Sequence, residues 1–311
     1  MDDLDDYLAG LAPYLDVIVV DGSSPEVFAE HHRRWSTRVR HQPVDVDLVT
    51  PMGKVGGVLT GVRHAHHRAV VIADDDVRWD RAMLERAVER LAGAAVVRPQ
   101  NNYEPVSWTA RWDTGRILLN RRFGGDWPGT LVIDRDALTR AGGYDGTVMF
   151  ENLELVRTLR AEGGTEKLAL DIVVPRRPPT HRHFWNQRVR EAYDELARPW
   201  RLAAGLAVLP AVVIGGPRVA LAVAALACAG AEAGRRRAGG AVIYPPTAAL
   251  WAPAWVAERA VTSWLAVGSR FVFGGIRYRD AVLRVAATPM ATLRHRTMAT
   301  GGVAAQPPPS S

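Results

Sequence analysis

The sequence predicts an α/β fold built on a mainly parallel sheet, followed by a helical region that meets a membrane. Two observations carry the first part. Over roughly the first 175 residues, short apolar runs alternate with helical patterns, and two of those runs end in acids, at Asp21 and at Asp74, Asp75 and Asp76. The third observation is the long apolar stretch from 202 to 234, which leaves the pattern of a soluble domain.

The elements follow in order. "DVIVVDGSS" (16–24) is an apolar run that ends in Asp21, Gly22 and two serines, a buried strand entering a turn. "VGGVLTGVRHAHH" reads as a helix and "AVVIADDD" as a second strand. "RAMLERAVERLAG" is an amphipathic helix closed by glycine, and "AAVVRPQ" is a third strand. In a sheet of this kind ligands bind beyond the strand C-termini, and both groups of acids lie at such ends.

Composition narrows the classes. With 311 residues and 48% apolar content, the chain can bury a sizeable core and holds more than one region. The single cysteine, Cys228, excludes an intrachain disulfide and a zinc–cysteine site. A net charge of +6 would suit nucleic acid, but the arginines scatter and gather beside apolar segments, which points instead to an anionic membrane surface. The acidic start "MDDLDDYLAGLAPYLD" lacks the basic, apolar and cleavage regions of a secretory signal, so the soluble part is expected in the cytoplasm.

Three consecutive aspartates need compensation. Two like charges about 4 Å apart repel by roughly 1 kcal/mol in water and about 4 kcal/mol near a protein surface. Solvent or a cation is the usual remedy. A solvated turn after a buried strand is the plain alternative.

The ordered set "VIVVDGSS", "GKVGGVLTGV", "VVIADDDV", "GTLVIDRDALTRAGGYDG", "FENLELVRTLRAEGG" and "QRVRE" resembles glycosyltransferase family 2 over residues 4 to about 195. The resemblance implies a GT-A fold. A looser likeness connects "ERAVTSWLAVGSRFVFGGIRYRD" to membrane-attached bacterial members related to ceramide glucosyltransferases. The expected organisation is a catalytic domain over 1–197, a membrane-associated helical region over 198–275 and a cytoplasmic tail over 276–311, disordered from about 299 by its composition.

The resemblance gives the acids a task. Asp74 and Asp76 fill the places of a DxD pair holding a divalent cation on the donor's diphosphate. Mg2+ or Mn2+, which prefer carboxylate and phosphate oxygens, would suit them. Asp76 is the expected direct ligand, Asp74 faces the ribose or the metal, and Asp75 is a solvated or strand-capping acid. Asp21 matches the carboxylate that meets the nucleotide base. Lys54 matches a Gly-Lys element near the phosphates, although Leu59 stands where the family has an asparagine.

"FENLEL" holds the expected base. The family commonly uses the second acid of a Glu-Asp pair, and this chain reads Glu151-Asn152. Leu153, Val156 and Leu159 form a helical stripe closed by Gly163-Gly164, placing Glu151 at the helix start, where the dipole favours a carboxylate. Glu151 is the candidate base and Glu154 the reserve; Asn152 otherwise serves as a cap. Asp134, Asp136 and Asp145 are read as turn residues. "HRHFWNQRVRE" retains Gln187 and Arg190 of a QxxRW signature, with Glu191 in place of tryptophan. Arg190 is expected to neutralise the leaving group, and His181 or His183 to complete the metal shell. His64, His66 and His67 read as helix surface. The acceptor pocket is expected in 101–130, where Trp108, Trp112 and Trp127 suit a sugar or a lipid tail or simple packing.

In the C-terminal third, Gly215-Gly216-Pro217-Arg218 divides the apolar stretch. A hairpin with arms of about 15 residues, roughly 23 Å each, fits this division best; one kinked span is the alternative. Arginines at both ends favour both ends facing the cytoplasm. The segment with Trp251, Trp255 and Trp264 reads as an interfacial helix. The family's first strand has no counterpart here. Either the start lies further upstream, or part of the nucleotide pocket is lost.

The expected function is transfer of a sugar from a UDP- or GDP-sugar to a hydroxyl, on a lipid or another acceptor, by a metal-dependent inverting enzyme at the cytoplasmic membrane face. A catalytically inactive membrane-bound relative that binds nucleotide-sugar or a partner is the alternative. A metal-dependent phosphotransferase ranks last, for want of a phosphate-cradling glycine loop.

Overall fold

The computed structural model describes residues 2–303. Helix α1 (Asp2–Leu11) leads into strand β1 (Ile18–Asp21), helix α2 (Pro25–Trp35) and strand β2 (Arg40–Pro43). β1 and β2 pair in parallel, and Leu8, Trp35 and Val39 form a small core of their own beside them. Among the described residues this pair shares no ladder with the main sheet.

The main sheet contains β3 (Ala69–Ala73), β4 (Val96–Tyr103), β5 (Thr130–Asp134) and β6 (Glu166–Arg176), in the order β3-β5-β4-β6. Helices α3 (Gly53–His64), α4 (Arg81–Arg90), α5 (Trp108–Arg122), α6 (Arg135–Arg140) and α7 (Glu151–Ala161) join these strands. The expected mainly parallel sheet is corrected to a mixed one. β5 lies antiparallel to both neighbours, while β4 and β6 are parallel. The reason is where β5 begins. Asp74, just past the end of β3, donates its amide to the Gly129 carbonyl at 2.8 Å, so β5 enters at the end where β3 leaves.

Local chemistry explains the helix starts. Asp80 accepts from Met83 N at 2.7 Å to cap α4, and Asp134 accepts from Ala137 N at 3.0 Å to cap α6, the turn role expected of it. The core on one side of the sheet contains Val96, Leu131, Ile133, Leu138, Leu155 and Leu159.

Beyond β6 come α8 (His181–Tyr193), α9 (Pro199–Arg236), α10 (Gly240–Ile243) and α11 (Ala252–Val272), a hairpin of β7 (Ile276–Tyr278) and β8 (Ala281–Leu283), and α12 (Met290–Val303). α12 runs into the segment expected to be disordered from about 299; the rest of that segment, 304–311, lies outside the described residues.

α9 is broken at Gly216, whose φ of +63° belongs to the left-handed region that favours glycine. The chain reverses there. Arg201 near one end donates to Asn120 Oδ1 at 2.6 Å, and the Gly234 carbonyl near the other accepts from Arg121 Nε at 3.3 Å. A straight helix across that interval would separate its ends by about 50 Å, so contact with adjacent residues of α5 requires a hairpin. Its tip presents Val213, Ile214 and Leu221 to the outside. The helical stretch Pro199–Ile243 is long and apolar enough to cross a membrane by length and composition, with a mean hydropathy of 2.0 over its most apolar window.

Candidate functional site

Five charged side chains, from α3, the segment after β3, α7 and β6, meet beyond the end of β3. Lys54, in the first turn of α3, sets its Nζ 2.7 Å from Asp74 Oδ1 and 3.0 Å from Glu151 Oε1. Arg176, the last residue of β6, places Nε 2.7 Å from Asp76 Oδ2 and Nη2 3.3 Å from Asp74 Oδ2. Glu151 is the first residue of α7. Gly129 passes behind the cluster: a Cβ there would run into the Asp74 carboxylate and lie 3.1 Å from the Arg176 guanidinium. Its amide is held by Asn101 Oδ1 at 2.9 Å.

Two cations face three carboxylates. Burial alone would lower the pKa of Lys54, but the Asp74 and Glu151 charges hold it well above the ordinary lysine value. Burial acts to raise Asp74, and Lys54 and Arg176 outweigh it and keep the carboxyl below its ordinary value. At Asp76 burial prevails and the pKa is raised despite Arg176. Asp76 Oδ1 is buried and has no hydrogen-bond partner. Asp75 is exposed, in line with its reading as a solvated acid.

The other expected residues lie elsewhere. Asp21 ends β1, where Oδ1 accepts from Ser23 N at 2.9 Å while His31 and His41 approach Oδ2. His181 opens α8 with its ring 5.2 Å from that of Trp108, and Gln187 contacts His183 on the exposed side of the same helix. The Arg190 guanidinium lies over the Tyr278 ring at 5.6 Å. Tyr278 belongs to the β7–β8 hairpin, whose Arg279 comes within 3.1 Å of the position a Cβ on Gly53 would take, beside Lys54. Glu154 is fully buried one turn along α7, and its Oε2 accepts from Thr288 N at 2.6 Å. Asn152 does not cap its helix; its amide donates to the Pro128 carbonyl at 3.1 Å.

Sequence reasoning missed Arg176 and the 276–283 hairpin. The available signal for Arg176 was the β-rich run "LALDIVVPRR", which ends in two arginines as the acid-bearing run ends in aspartates. Glu191, which stands at the position expected for a tryptophan, lies in a network of ion pairs. It pairs with Arg188 at 2.8 Å and Arg259 at 3.4 Å, and Arg188 reaches Asp113 at 2.7 Å and Glu258 at 3.5 Å. This network joins α5, α8 and α11.

In the expected acceptor region the three tryptophans separate into two groups. Trp108 and Trp112 cluster with Phe184 and Trp185, whereas Trp127 packs edge-on to Phe150 and under Arg98. A groove of about 350 Å³ runs between Trp112, Trp185, Ala257 and Val261.

Residues 5–140, less than half of the chain, match the family described as glycosyl transferase family 2, and the α/β fold with its mixed sheet is GT-A-like. The looser likeness to ceramide glucosyltransferase relatives falls outside the matched residues. Among solved structures, the chain is similar to the mannosyltransferase PcManGT from Pyrobaculum calidifontis in complex with GDP-Man and Mn2+, at 19% identity and a TM-score of 0.44, over 96% of this chain and 73% of that one. No curated protein matches the chain.

Proposed function

We propose that the chain is a metal-dependent inverting glycosyltransferase that moves a sugar from a UDP- or GDP-sugar to a hydroxyl on a lipid-linked acceptor, at the cytoplasmic face of a membrane. The observation that carries this reading is the cluster of Lys54, Asp74, Asp76, Glu151 and Arg176, with one carboxylate more than it has cations.

The donor set suits Mg2+ or Mn2+. It offers carboxylate oxygens, and the unpartnered Asp76 Oδ1 is the oxygen open to a direct ligand, with Asp74 beside it. A divalent cation held there supplies Lewis-acid stabilisation to the departing nucleoside diphosphate. Lys54 and Arg176 give further positive charge at the same place; Arg190, over the Tyr278 ring, is the remaining candidate for neutralising the leaving group. Glu151, whose Oε1 lies 3.0 Å from Lys54 Nζ, takes the proton from the acceptor hydroxyl. Glu154, spent on the Thr288 amide, is set aside as the base. Asp21, at the end of β1, takes no part in this metal site.

The lipid acceptor is supported by the groove beside Trp112 and Trp185, which borders α11 where Val261, Trp264 and Leu265 are exposed. The exposed apolar tip of the α9 hairpin supports membrane attachment. The alternative, a binding protein without transfer activity, is favoured by Asn152 and Glu191, which depart from the family's pattern. Incubating the full chain in detergent with radiolabelled UDP- or GDP-sugars, Mn2+ and a membrane lipid extract separates the two. Label moving into the lipid fraction supports transfer; binding of donor with no transfer from any common sugar supports the alternative.

A further inference from the structure

We propose a second metal site, for a zinc-class transition ion, formed by Asp21, His31 and His41 at the edge of the β1–β2 pair. Asp21 Oδ2 lies 2.7 Å from His31 Nδ1 and 3.2 Å from His41 Nε2. One ligand atom from each of the three residues lies within 4.8 Å of the others. A tetrahedral ion with bonds near 2.0–2.2 Å keeps its donors about 3.3–3.5 Å apart, so the set needs only a slight opening to admit one. Two imidazoles and a carboxylate suit Zn2+ and leave a fourth position for water, whereas Mg2+ and Mn2+ favour oxygen donors.

The surroundings hold the donors in place. The His41 side chain is fully buried, its ring stacked on Phe28 at 4.4 Å, and the His31 ring stacks on Trp35 at 4.3 Å. The other ring nitrogen of His41 lies 3.1 Å from His32 Nδ1, an outer partner of the kind that orients a ligating histidine. Ser23 fixes the second oxygen of Asp21 at 2.9 Å.

The site also meets a structural need. The unit of α1, β1, α2 and β2 has three buried apolar residues in its own cluster and no ladder to the main sheet among the described residues. A small unit of this kind gains stability from a bound metal, because the site is absent when it unfolds. The ion would tie β1, α2 and β2 together independently of the donor site.

Calorimetry on the tag-free full chain in detergent, stripped with chelator and titrated with Zn2+, tests this. The result expected is uptake of one equivalent, visible tetrahedral absorption when Co2+ replaces Zn2+, and slower hydrogen exchange over residues 18–43 on Zn2+ addition. His31→Ala abolishes that uptake, and His32→Ala weakens it by about 10- to 100-fold. His31 is the primary variant because the His41 ring is fully buried and its loss endangers folding. Asp76→Asn leaves the uptake unchanged. No Zn2+ uptake by the folded wild type overturns the proposal, and so does an equivalent that survives His31→Ala and disappears with Asp76→Asn.

Discussion

Two clusters of acidic and basic side chains, one beyond the end of β3 and one between α5, α8 and α11, differ in access and in balance. Beyond the end of β3, Asp74, Asp76 and Glu151 remain partly exposed around Lys54 and Arg176, with Asp76 Oδ1 lacking a partner. Between α5, α8 and α11, Asp113, Arg188 and Glu258 are almost wholly enclosed, and Arg188 alone meets three carboxylates. The first cluster can exchange a protein partner for a ligand. The second is more enclosed, with Glu191 at its edge, and its charges join three helices. Arg188, Asp113 and Glu258 differ from Asp74, Asp76 and Glu151 in exposure more than in residue type.

The largest effect that sharpens the contrast is on rate. Glu151→Gln keeps the shape and removes basicity, so transfer should fall about 100- to 10,000-fold while donor binding persists. Steady-state transfer assays together with calorimetry check this. Asn152→Asp should be tolerated or raise the rate, since it returns a second carboxylate to the start of α7.

Next in size is a stability effect in the enclosed cluster. Arg188→Leu leaves Asp113, Glu191 and Glu258 without their shared cation and should cost about 3–5 kcal/mol, read from chemical denaturation in detergent. Donor affinity of the molecules still folded should not change. A large loss of donor affinity with unchanged stability would erase the distinction between the clusters.

The smallest effect concerns Glu154. Burial raises its pKa above the ordinary value of 4.5 in the folded protein, so folding favours the protonated acid relative to the unfolded chain. Its contribution to stability is present in full below the unfolded value and is lost as pH rises through the raised folded value. Glu154→Gln removes that loss. Denaturation curves should show the wild type losing stability relative to the variant as pH rises above 4.5.

Much of this was legible in the sequence, and the reasons are local. β3, α3 and α4 announce themselves through apolar periodicity and their ends, and Gly215-Gly216-Pro217 marks the reversal in α9 because few other residues allow that backbone. β2, "RHQP", carries no strand pattern and exists through its pairing with β1. The direction of β5 depends on where α5 delivers the chain, which no periodicity records. Lys54, Asp74 and Glu151 were placed by their motifs and meet within hydrogen-bond distance. Arg176 was missed because an arginine after a strand is unremarkable until the fold brings it over two aspartates.

The most direct test of the donor site is titration of UDP and GDP into the full chain by calorimetry, with Mn2+ and with chelator. Wild type and Glu151→Gln should bind one of the two nucleotides only with Mn2+, and Asp76→Asn should lose affinity by about tenfold or more, equal to about 1.4 kcal/mol. Equal affinity in all three proteins, with chelator present, would contradict the assignment of the Lys54–Asp74–Asp76–Glu151–Arg176 cluster as the metal-assisted donor site.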